Sequence, residues 1–376
     1  MDISTTCIHG CKKKFDTTGS VATPIFASAT FAHPGVGQST GFDYSRSLNP
    51  TNVHLEDTVA ALEGGTDAIS FSSGMAAVST LMELFSPGDH IIASDDLYGG
   101  TFRLFERVSH KNGVNFSYAA TPKDMEKEIS KSTKAIFLET PSNPMMHVID
   151  IAAVAEIAKK HNLLFIVDNT FLTPYFQKPF SLGADIVLHS GTKYLGGHND
   201  TLSGFLVVKN DELLEKLRFI AKTTGGCLSP FDAFLIIRGI KTLAIRMERG
   251  QETAQKIVNW LLEQSAVKKV YYPGLKEHPD YEISKRQTSG FGGMISFSVQ
   301  NEQTAIKILE SVKVIKYAES LGGVESLITY PMLQTHADLP ESDRRARGID
   351  ECLLRLSVGL EAADDLISDL KQALGN

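Results

Sequence analysis

The sequence has few cysteines and no long apolar run. Its four cysteines, Cys7, Cys11, Cys227 and Cys352, are scattered over 376 residues, which is too few and too dispersed for a disulfide framework. No window approaches the uninterrupted apolar length that a membrane-spanning helix needs, so we expect no membrane partner. The first residues, MDISTTCIHG, lack the basic and apolar regions of a signal peptide, and we therefore expect a cytoplasmic protein.

Features of nucleic-acid and metal sites are also missing. The formal net charge is −7, which argues against a nucleic-acid partner, and the basic run Lys12–Lys14 is too short to change that expectation. The stretch Cys7–Cys11 resembles half of a metal clip, but a structural zinc site needs a fourth ligand from a second motif, which the sequence does not show. For His189 and His198, hydrogen-bonding roles are favoured over metal ligation. We expect no metal.

Short apolar runs alternate with helical stretches along most of the chain, whose length suggests about two domains. Residues 1–50 show weak periodicity, which predicts an extended arm that lies on another part of the protein or on a neighbouring subunit. Residues 51–235 predict a large α/β domain with a doubly wound, mostly parallel sheet. Residues 236–376 predict a smaller C-terminal α+β domain. The predicted strands are 68–71, 90–94, 135–139, 163–167, 186–188, 205–208, 267–272, 293–299 and 353–358. The predicted helices are 54–63, 76–85, 151–161, 211–223, 231–262, 302–312 and 364–374.

A lysine follows one of these strands closely. The run 186–188 suits a strand buried on both faces, and Lys193 lies just beyond its carboxyl end, where open α/β sheets bind ligands. A desolvated lysine loses ammonium character and becomes an amine that can form a Schiff base. Ser190 and Thr192 carry hydroxyls that could hold a phosphate. The stretch indicates a pyridoxal phosphate (PLP) site, with a surface lysine in a loop as the alternative interpretation.

Two further places fit such a site. Asp168 follows the predicted strand 163–167, and a buried carboxylate there needs a positive partner, which a protonated pyridine nitrogen would supply. An aspartate that caps the turn before Asn169 is the alternative. Gly74 and Met75 lie at a predicted strand-to-helix junction, where free backbone N–H groups bind anions, although such glycine turns are common in α/β folds.

Tyr98 and Arg355 are candidates for contacts with a ring and with a substrate. Tyr98 could stack on a planar ring and exchange protons, and a half-buried surface tyrosine is the alternative. Alternation in the strand 353–358 puts Arg355 opposite the leucines. A guanidinium among so many apolar residues favours a bidentate anion such as an α-carboxylate, and a salt bridge to Glu361 is the alternative.

Taken together, these motifs resemble, almost from end to end, the cystathionine γ-synthase/γ-lyase/β-lyase family of PLP enzymes of cysteine and methionine metabolism. The matching motifs are IHG at 8–10, YSR at 44–46, NPT at 49–51, SSGMAA at 72–77, DLYGGT at 96–101, ETPSNP at 139–144, VDNT at 167–170, residues 189–198, ESLGG at 319–323 and RLSVGLE at 355–361. The resemblance implies the PLP-dependent aminotransferase-like fold (fold type I).

The resemblance also implies roles toward the cofactor. Lys193 would bind PLP covalently and then move protons on the substrate, Asp168 would pair with the pyridine nitrogen, and Tyr98 would stack on the ring. The residues that would hold the phosphate within the chain are Gly74, Met75, Ser190 and Thr192. Two residues of the arm, Tyr44 and Arg46, would reach the phosphate of a neighbouring subunit, which implies a homotetramer built of active dimers.

Substrate binding follows from the same resemblance. Arg355, with Asn143 and Ser320, would bind the carboxylate of a small sulfur-containing amino acid. Asp43 and Glu319 match acidic positions of the γ-acting members, and two carboxylates near the distal end of a substrate would attract an amino group.

The choice within the family depends on a few positions. Family β-lyases of one type have aromatic residues around the serine at the Ser320 position, where this chain has Glu319 and Leu321. Methionine γ-lyases typically carry a cysteine where this chain has Gly100. We therefore favour γ-elimination or γ-replacement with cystathionine as substrate or product. The alternatives are a cystathionine β-lyase, an O-acetylhomoserine sulfhydrylase, or a catalytically silent relative.

Two positions depart from the family pattern. Cys11 replaces a common glycine, and Gln334 precedes Thr335 and His336 where a methionine is frequent. Gln334 is expected to border the substrate pocket, which leaves the specificity open.

Overall fold

The structure, a computed structural model, describes residues 1–11, 18–334 and 341–375. The basic run Lys12–Lys14, Thr335 and His336 lie outside the described residues. The strands are β1 (Asp67–Phe71), β2 (His90–Ser94), β3 (Asn115–Ala119), β4 (Thr133–Glu139), β5 (Leu164–Asp168), β6 (Ile186–Ser190), β7 (Gly204–Val208), β8 (Val267–Tyr271), β9 (Met294–Val299), β10 (Lys316–Tyr317), β11 (Leu327–Thr329) and β12 (Leu353–Ser357).

The helices alternate with the strands over the first six strands of the chain, as predicted. They are α1 (Ile3–His9), α2 (Pro50–Glu63), α3 (Gly74–Met82), α4 (Gly99–Leu104), α5 (Pro122–Lys127), α6 (Ile151–Lys160), α7 (Thr173–Phe176), α8 (Asp211–Thr224), α9 (Pro230–Ile240), α10 (Leu243–Leu262), α11 (Tyr281–Gln287), α12 (Glu302–Ser311), α13 (Glu341–Ala346) and α14 (Ala363–Leu374). No helix of the described residues is long and apolar enough to span a membrane.

The larger sheet has the strand order β1-β7-β6-β5-β4-β2-β3. The pairs β2–β3, β2–β4, β4–β5 and β5–β6 are parallel, while β7 is antiparallel to both β6 and β1. Two apolar cores cover its two faces, as expected of parallel strands that read as continuous apolar runs. The predicted α/β fold with a doubly wound, mostly parallel sheet is confirmed. Strand β3 was not predicted.

The smaller sheet belongs to the C-terminal part of the chain. Its order is β10-β11-β12-β9-β8, with β12 antiparallel to both neighbours, and a separate apolar core packs against it. The helix α10 contacts elements of both parts. The domain bounds 51–235 and 236–376 stay predictions.

Two predicted helices differ most from the structure. The helix predicted to begin at His54 begins at Pro50, because the Asn49 side chain accepts the Thr51 N–H and proline suits the first turn. The single helix predicted over 231–262 is split into α9 and α10. The carbonyl of Gly239 accepts the Thr242 N–H at 3.1 Å, so the helical hydrogen-bond pattern ends there.

The predicted arm is only partly extended. Its start forms α1, whose Cys7 is 2% exposed and lies in the main core. This short helix was not predicted from the sequence, since a helix of seven residues, about two turns, has little periodicity of its own. Over residues 18–48 the described chain contains only an isolated bridge between Thr30 and Tyr44.

Candidate active site

Three acidic or polar strand ends meet at the carboxyl edge of the larger sheet. Glu139 ends β4, Asp168 ends β5 and Ser190 ends β6, and Glu139 is the register partner of Asp168. These side chains face a cavity of about 420 Å³. Its lining includes Ser73, Gly74, Met75, Val78, Tyr98, Gly100, Thr101, Arg103, Glu139, Asn143, Asp168, Thr170, Phe171, Leu188, Ser190, Thr192, Lys193, Leu202, Glu319, Ser320, Leu321, Gln334 and Arg355.

Lys193 lies in this cavity and not on the surface. Its Nζ donates to Ser320 Oγ at 2.7 Å. Burial, and to a smaller extent the Arg355 guanidinium, lower the pKa of Lys193 to about 8 against the opposing effect of the Glu319 carboxylate. A lysine with such a pKa is partly the free amine near neutrality, which is the form that attacks a carbonyl.

Asp168 caps its turn and also faces the cavity. Its Oδ1 accepts the Thr170 N–H at 3.0 Å and the Thr170 hydroxyl at 2.5 Å, so it does cap the turn. No hydrogen bond within the described residues reaches Oδ2, and the side chain lines the cavity. Burial raises the pKa of Asp168, and the hydrogen bonds from Thr170 oppose this effect. A carboxylate oxygen left without a protein partner fits the protonated ring nitrogen of PLP.

The phosphate candidates surround one end of the cavity. The nine-residue helix α3 begins at Gly74, and the Ser73 hydroxyl accepts the Ala76 N–H at 3.0 Å. The first N–H groups of this helix lie beside Ser190. A Cβ at Gly74 would lie 3.0 Å from the Ser190 Cβ, so the close approach needs glycine. Thr192 lines the cavity, and its hydroxyl donates to the Ser203 carbonyl at 3.2 Å.

Tyr98 is held through its backbone. Its N–H donates to Glu139 Oε2 at 2.8 Å, and its side chain lines the cavity. Burial raises the pKa of the Tyr98 phenol, with Arg103 opposing and Glu319 adding to the shift. Burial also raises the pKa of Glu139 well above its ordinary value, and the nearby Asp168 carboxylate raises it further. Two buried carboxyl groups this close do not both ionise readily.

Arg355 reaches the cavity from the smaller sheet. It is 1% exposed, its Nη1 donates to Asn143 Oδ1 at 2.8 Å, and its Nη2 donates to the Ser320 carbonyl at 2.8 Å and the Thr329 hydroxyl at 3.1 Å. Burial lowers the pKa of Arg355 to about 10. Its Nε is buried and has no hydrogen-bond partner among the described residues.

The alternative interpretation, a salt bridge between Arg355 and Glu361, is wrong. The Glu361 carboxylate accepts from the Ser326 N–H and hydroxyl, both at 2.7 Å, and Arg355 has no carboxylate partner among the described residues. A buried guanidinium held by neutral groups is suited to an anion that enters the cavity.

Three predicted site residues lie away from the cavity of their own chain. Arg46 donates to the Lys222 carbonyl at 2.6 Å, and its guanidinium carbon is 5.5 Å from the Tyr44 ring centroid. Asp43 accepts from the Ser39 hydroxyl at 2.6 Å. These three residues do not meet Lys193 within one chain.

Glu139, Thr170 and Arg103 were missed in the sequence. Glu139 ends a predicted strand just as Asp168 follows one, so the same rule would have found it. Thr170 and Arg103 carry no comparable signal, because only the folded loops bring them to the cavity. Gln334, flagged in the sequence, does line the cavity, and its Oε1 accepts the Tyr330 N–H at 2.7 Å.

The two histidines that flank Lys193 in the sequence, His189 and His198, are placed for hydrogen bonding. His189 Nε2 donates to Glu63 Oε1 at 2.6 Å, and His198 Nδ1 is 2.8 Å from the Gly196 carbonyl. Within the described part of the chain, no three histidine, cysteine or carboxylate side chains are arranged to hold a metal ion.

Comparisons with known proteins agree with this geometry. The family model described as Cys/Met metabolism PLP-dependent enzyme matches residues 4–375. The chain is 49% identical over 374 residues to a cystathionine β-lyase of Lactococcus lactis subsp. cremoris, covering 99% of this chain and 98% of that protein. It is 48% identical to a cystathionine γ-synthase of Haemophilus influenzae, covering 100% and 98%.

A solved structure gives the same answer for the fold. Cystathionine γ-lyase from Lactobacillus plantarum, complexed with L-serine, has a TM-score of 0.97 and 46% identity, with 100% of this chain and 99% of that chain covered. The resemblance of the sequence motifs and the implied fold type I are confirmed. The chain belongs to the Cys/Met metabolism PLP-dependent enzyme family, and it is a PLP-dependent enzyme.

Proposed function

We propose that this enzyme cleaves or forms a carbon–sulfur bond by γ-elimination or γ-replacement, with cystathionine as substrate or product. One observation carries the proposal: a single cavity holds Lys193, the carboxylate-binding candidate Arg355, and a separate carboxylate, Glu319. Cystathionine has two amino-acid ends. Arg355 suits the α-carboxylate of one end, and Glu319 suits the amino group of the other. A second cation, Arg103, lines the same cavity and suits the second carboxylate.

The cofactor residues are proposed from the fit of the cavity. Asp168 would face the ring nitrogen, Tyr98 would lie against the ring, and Gly74 with Met75 would present N–H groups to the phosphate. Ser190 and Thr192 would add hydroxyls. When bound, PLP withdraws electrons from the substrate's Cα and makes its proton acidic.

The chain's own side chains then bind the substrate and move protons. The Lys193 amine, kept largely free of charge above pH 8 by burial, would take the Cα proton. Its hydrogen bond to Ser320 matters because the carbonyl of the same residue holds Arg355. Lys193 and Arg355 are therefore both held by Ser320, and this shared contact aligns the substrate Cα with the Lys193 amine. Tyr98, whose raised pKa keeps its phenol protonated, would donate to a leaving group.

The γ-type is favoured over the β-type by the residues around Ser320. Glu319 and Leu321 flank it, with no aromatic side chain adjacent in sequence. β-Elimination is the second candidate, because a relative that is 49% identical is named cystathionine β-lyase. An O-acetylhomoserine sulfhydrylase, the other alternative, uses an activated homoserine that has no second amino-acid end. Glu319 would then have no distal amino group to bind. A silent relative is disfavoured because Lys193, Asp168 and Arg355 share the cavity.

Product analysis tests the proposal. Purified holoenzyme is incubated with L-cystathionine, and separately with an O-acylhomoserine plus cysteine or sulfide. We expect either 2-oxobutyrate with cysteine and ammonia, or cystathionine from the ester and cysteine. Pyruvate with homocysteine would identify the β-lyase, homocysteine from the ester and sulfide the sulfhydrylase, and no turnover at all would contradict every enzymatic version.

We infer that Asp43, Tyr44 and Arg46 act in the site of a neighbouring subunit, in a homotetramer of active dimers. The inference is supported by their position away from the cavity of their own chain and by the 47% exposure of Tyr44. Mixing inactive Arg46→Ala subunits with inactive Lys193→Ala subunits should restore up to about a quarter of the activity, since one site of a mixed dimer would be intact. No recovery after demonstrated subunit exchange would contradict the shared site.

A further inference from the structure

The loop that carries Lys193 is buried, which creates a hydrogen-bonding problem. Gly191 and residues 194–197 are buried between β6 and β7. The Gly196 N–H donates to the Gly191 carbonyl at 2.8 Å, and the Gly197 N–H donates to the Lys193 carbonyl at 2.7 Å. The carbonyls of Tyr194 and Leu195 accept from no backbone N–H of the described residues. Buried carbonyls of this kind need another partner.

Arg246, on α10, supplies that partner. Its Nη1 donates to the Tyr194 carbonyl at 2.7 Å, and its Nη2 donates to the carbonyls of Leu195 at 3.4 Å and Gly239 at 2.8 Å. Its Nε donates to the Thr242 hydroxyl at 3.1 Å. A single guanidinium therefore joins the lysine loop to the junction of α9 and α10.

This arginine is neither a surface residue nor half of an ion pair. It is 6% exposed, and no carboxylate of the described residues forms an ion pair with it. Burying an uncompensated cation is costly, and the cost is offset only because neutral oxygens occupy its N–H groups. The lysine loop leaves room for the guanidinium only because residue 197 is glycine. Gly197 has φ +74°, and a Cβ there would lie 2.1 Å from Arg246 Nη1.

We propose that Arg246 is a positioning residue that fixes the backbone of residues 191–197 and so holds the Lys193 amine beside Ser320 in the cavity. The inference rests on the role proposed for Lys193. Tyr194 and Leu195 follow Lys193 directly, so a movement of their carbonyls moves the lysine backbone as well. The low pKa of Lys193, which burial causes, depends on the same closed loop.

The test compares Arg246→Met and Arg246→Lys with Arg249→Met, a matched control at an exposed position on the same helix. Each holoenzyme is examined by amide hydrogen exchange in peptides covering 191–199 and, as an internal reference, 294–299 in β9. PLP retention on dialysis and the separate values of kcat and KM are measured on the same samples.

For Arg246→Met we expect exchange in 191–199 to be about tenfold faster or more, with 294–299 unchanged. We expect kcat to fall about 100-fold, KM to change less than about threefold, and PLP to be lost faster. Arg246→Lys, which can still donate to one or two of these carbonyls, should lie between the wild type and Arg246→Met, and the Arg249→Met control should match the wild type.

Unchanged exchange in 191–199, or equal acceleration in both peptides, would overturn the proposal. If Arg246→Met does not fold, Arg246→Lys decides: faster loop exchange supports the proposal and wild-type exchange contradicts it. The exchange result does not depend on what Lys193 does chemically. Faster loop exchange with unchanged kcat would show that Arg246 fixes the loop without positioning the Lys193 amine, and so would overturn that part of the proposal. Failure of the role proposed for Lys193 is seen separately, as unchanged turnover of Lys193→Ala.

Discussion

Two regions of the molecule build the cavity in different ways. The carboxyl edge of the larger sheet contributes groups at or just beyond strand ends, namely Glu139, Asp168 and Lys193, and burial shifts the pKa of each of them. The smaller sheet contributes Arg355 from the middle of β12, where register and three hydrogen bonds fix it.

We propose that this difference separates the groups that react from the group that binds the substrate. Groups at strand ends are close enough to the cavity to react and are desolvated enough to have altered proton affinities. A side chain in the middle of an antiparallel strand cannot move far, so it suits constant contact with a carboxylate that every substrate carries. Substitutions of the groups at the strand ends of the larger sheet should therefore affect kcat, and substitutions of Arg355 should affect KM.

The largest effect is expected from Lys193→Ala. Without the amine, kcat should fall by about four orders of magnitude or more, while the circular dichroism of the fold stays unchanged. Lys134→Ala, which changes an exposed lysine on β4, is the control and should behave as the wild type. Residual activity above about 1% of wild type would show that another group carries the chemistry.

Arg355→Lys should raise KM instead. An ammonium cannot reproduce the forked contacts to Asn143, Ser320 and Thr329, so we expect KM to rise about 100-fold and kcat to fall less than about tenfold. Steady-state kinetics with two different amino-acid substrates check this. Arg238→Lys, at an exposed position on α9, is the control. A fall in kcat at constant KM would remove the distinction between the two regions.

Glu319→Gln tests whether Glu319 binds the second amino-acid end of cystathionine. Loss of the charge should lower kcat/KM for cystathionine about tenfold and leave an O-acylhomoserine, which lacks the second amino group, within about twofold of wild type. Equal losses with both substrates would mean that Glu319 supports the cavity and does not select the substrate.

The smallest effect concerns stability. Burial lowers the pKa of Lys193 to about 8 from an ordinary value of 10.5. Below pH 8 the folded, cofactor-free protein holds a poorly solvated cation, and this penalty is relieved as the pH rises from 8 to 10.5, where the unfolded chain still binds the proton. Lys193→Met should therefore raise the melting temperature of the cofactor-free protein by a few degrees at pH 7.

The gain should shrink above about pH 10. Thermal unfolding at both pH values checks this, with Lys134→Met as the control for losing an exposed lysine. A gain that is the same at both pH values would show that packing of the methionine, and not the charge, is responsible.

Much of the larger sheet and its edge could be predicted, because buried parallel strands are short apolar runs and their ends are marked by a change to polar residues. That rule located Lys193, Asp168 and Tyr98. It did not reveal α1, since a helix of seven residues has too little periodicity. It also joined α9 to α10, because both stretches have helical patterns and the break shows only in the hydrogen bonds that the Gly239 carbonyl accepts from Thr242 and Arg246.

The sequence by itself determined the fold class, the family and the main candidate side chains of the cavity, since those depend on local patterns and on ordered motifs. Only the tertiary structure decided which neutral groups hold Arg355, that Glu139 lies beside Asp168, and that Arg246 clasps the lysine loop. These contacts join residues from separate strands and helices, and no local pattern records such a distance. For the same reason, Asp43, Tyr44 and Arg46 are placed by the fold away from the cavity of their own chain.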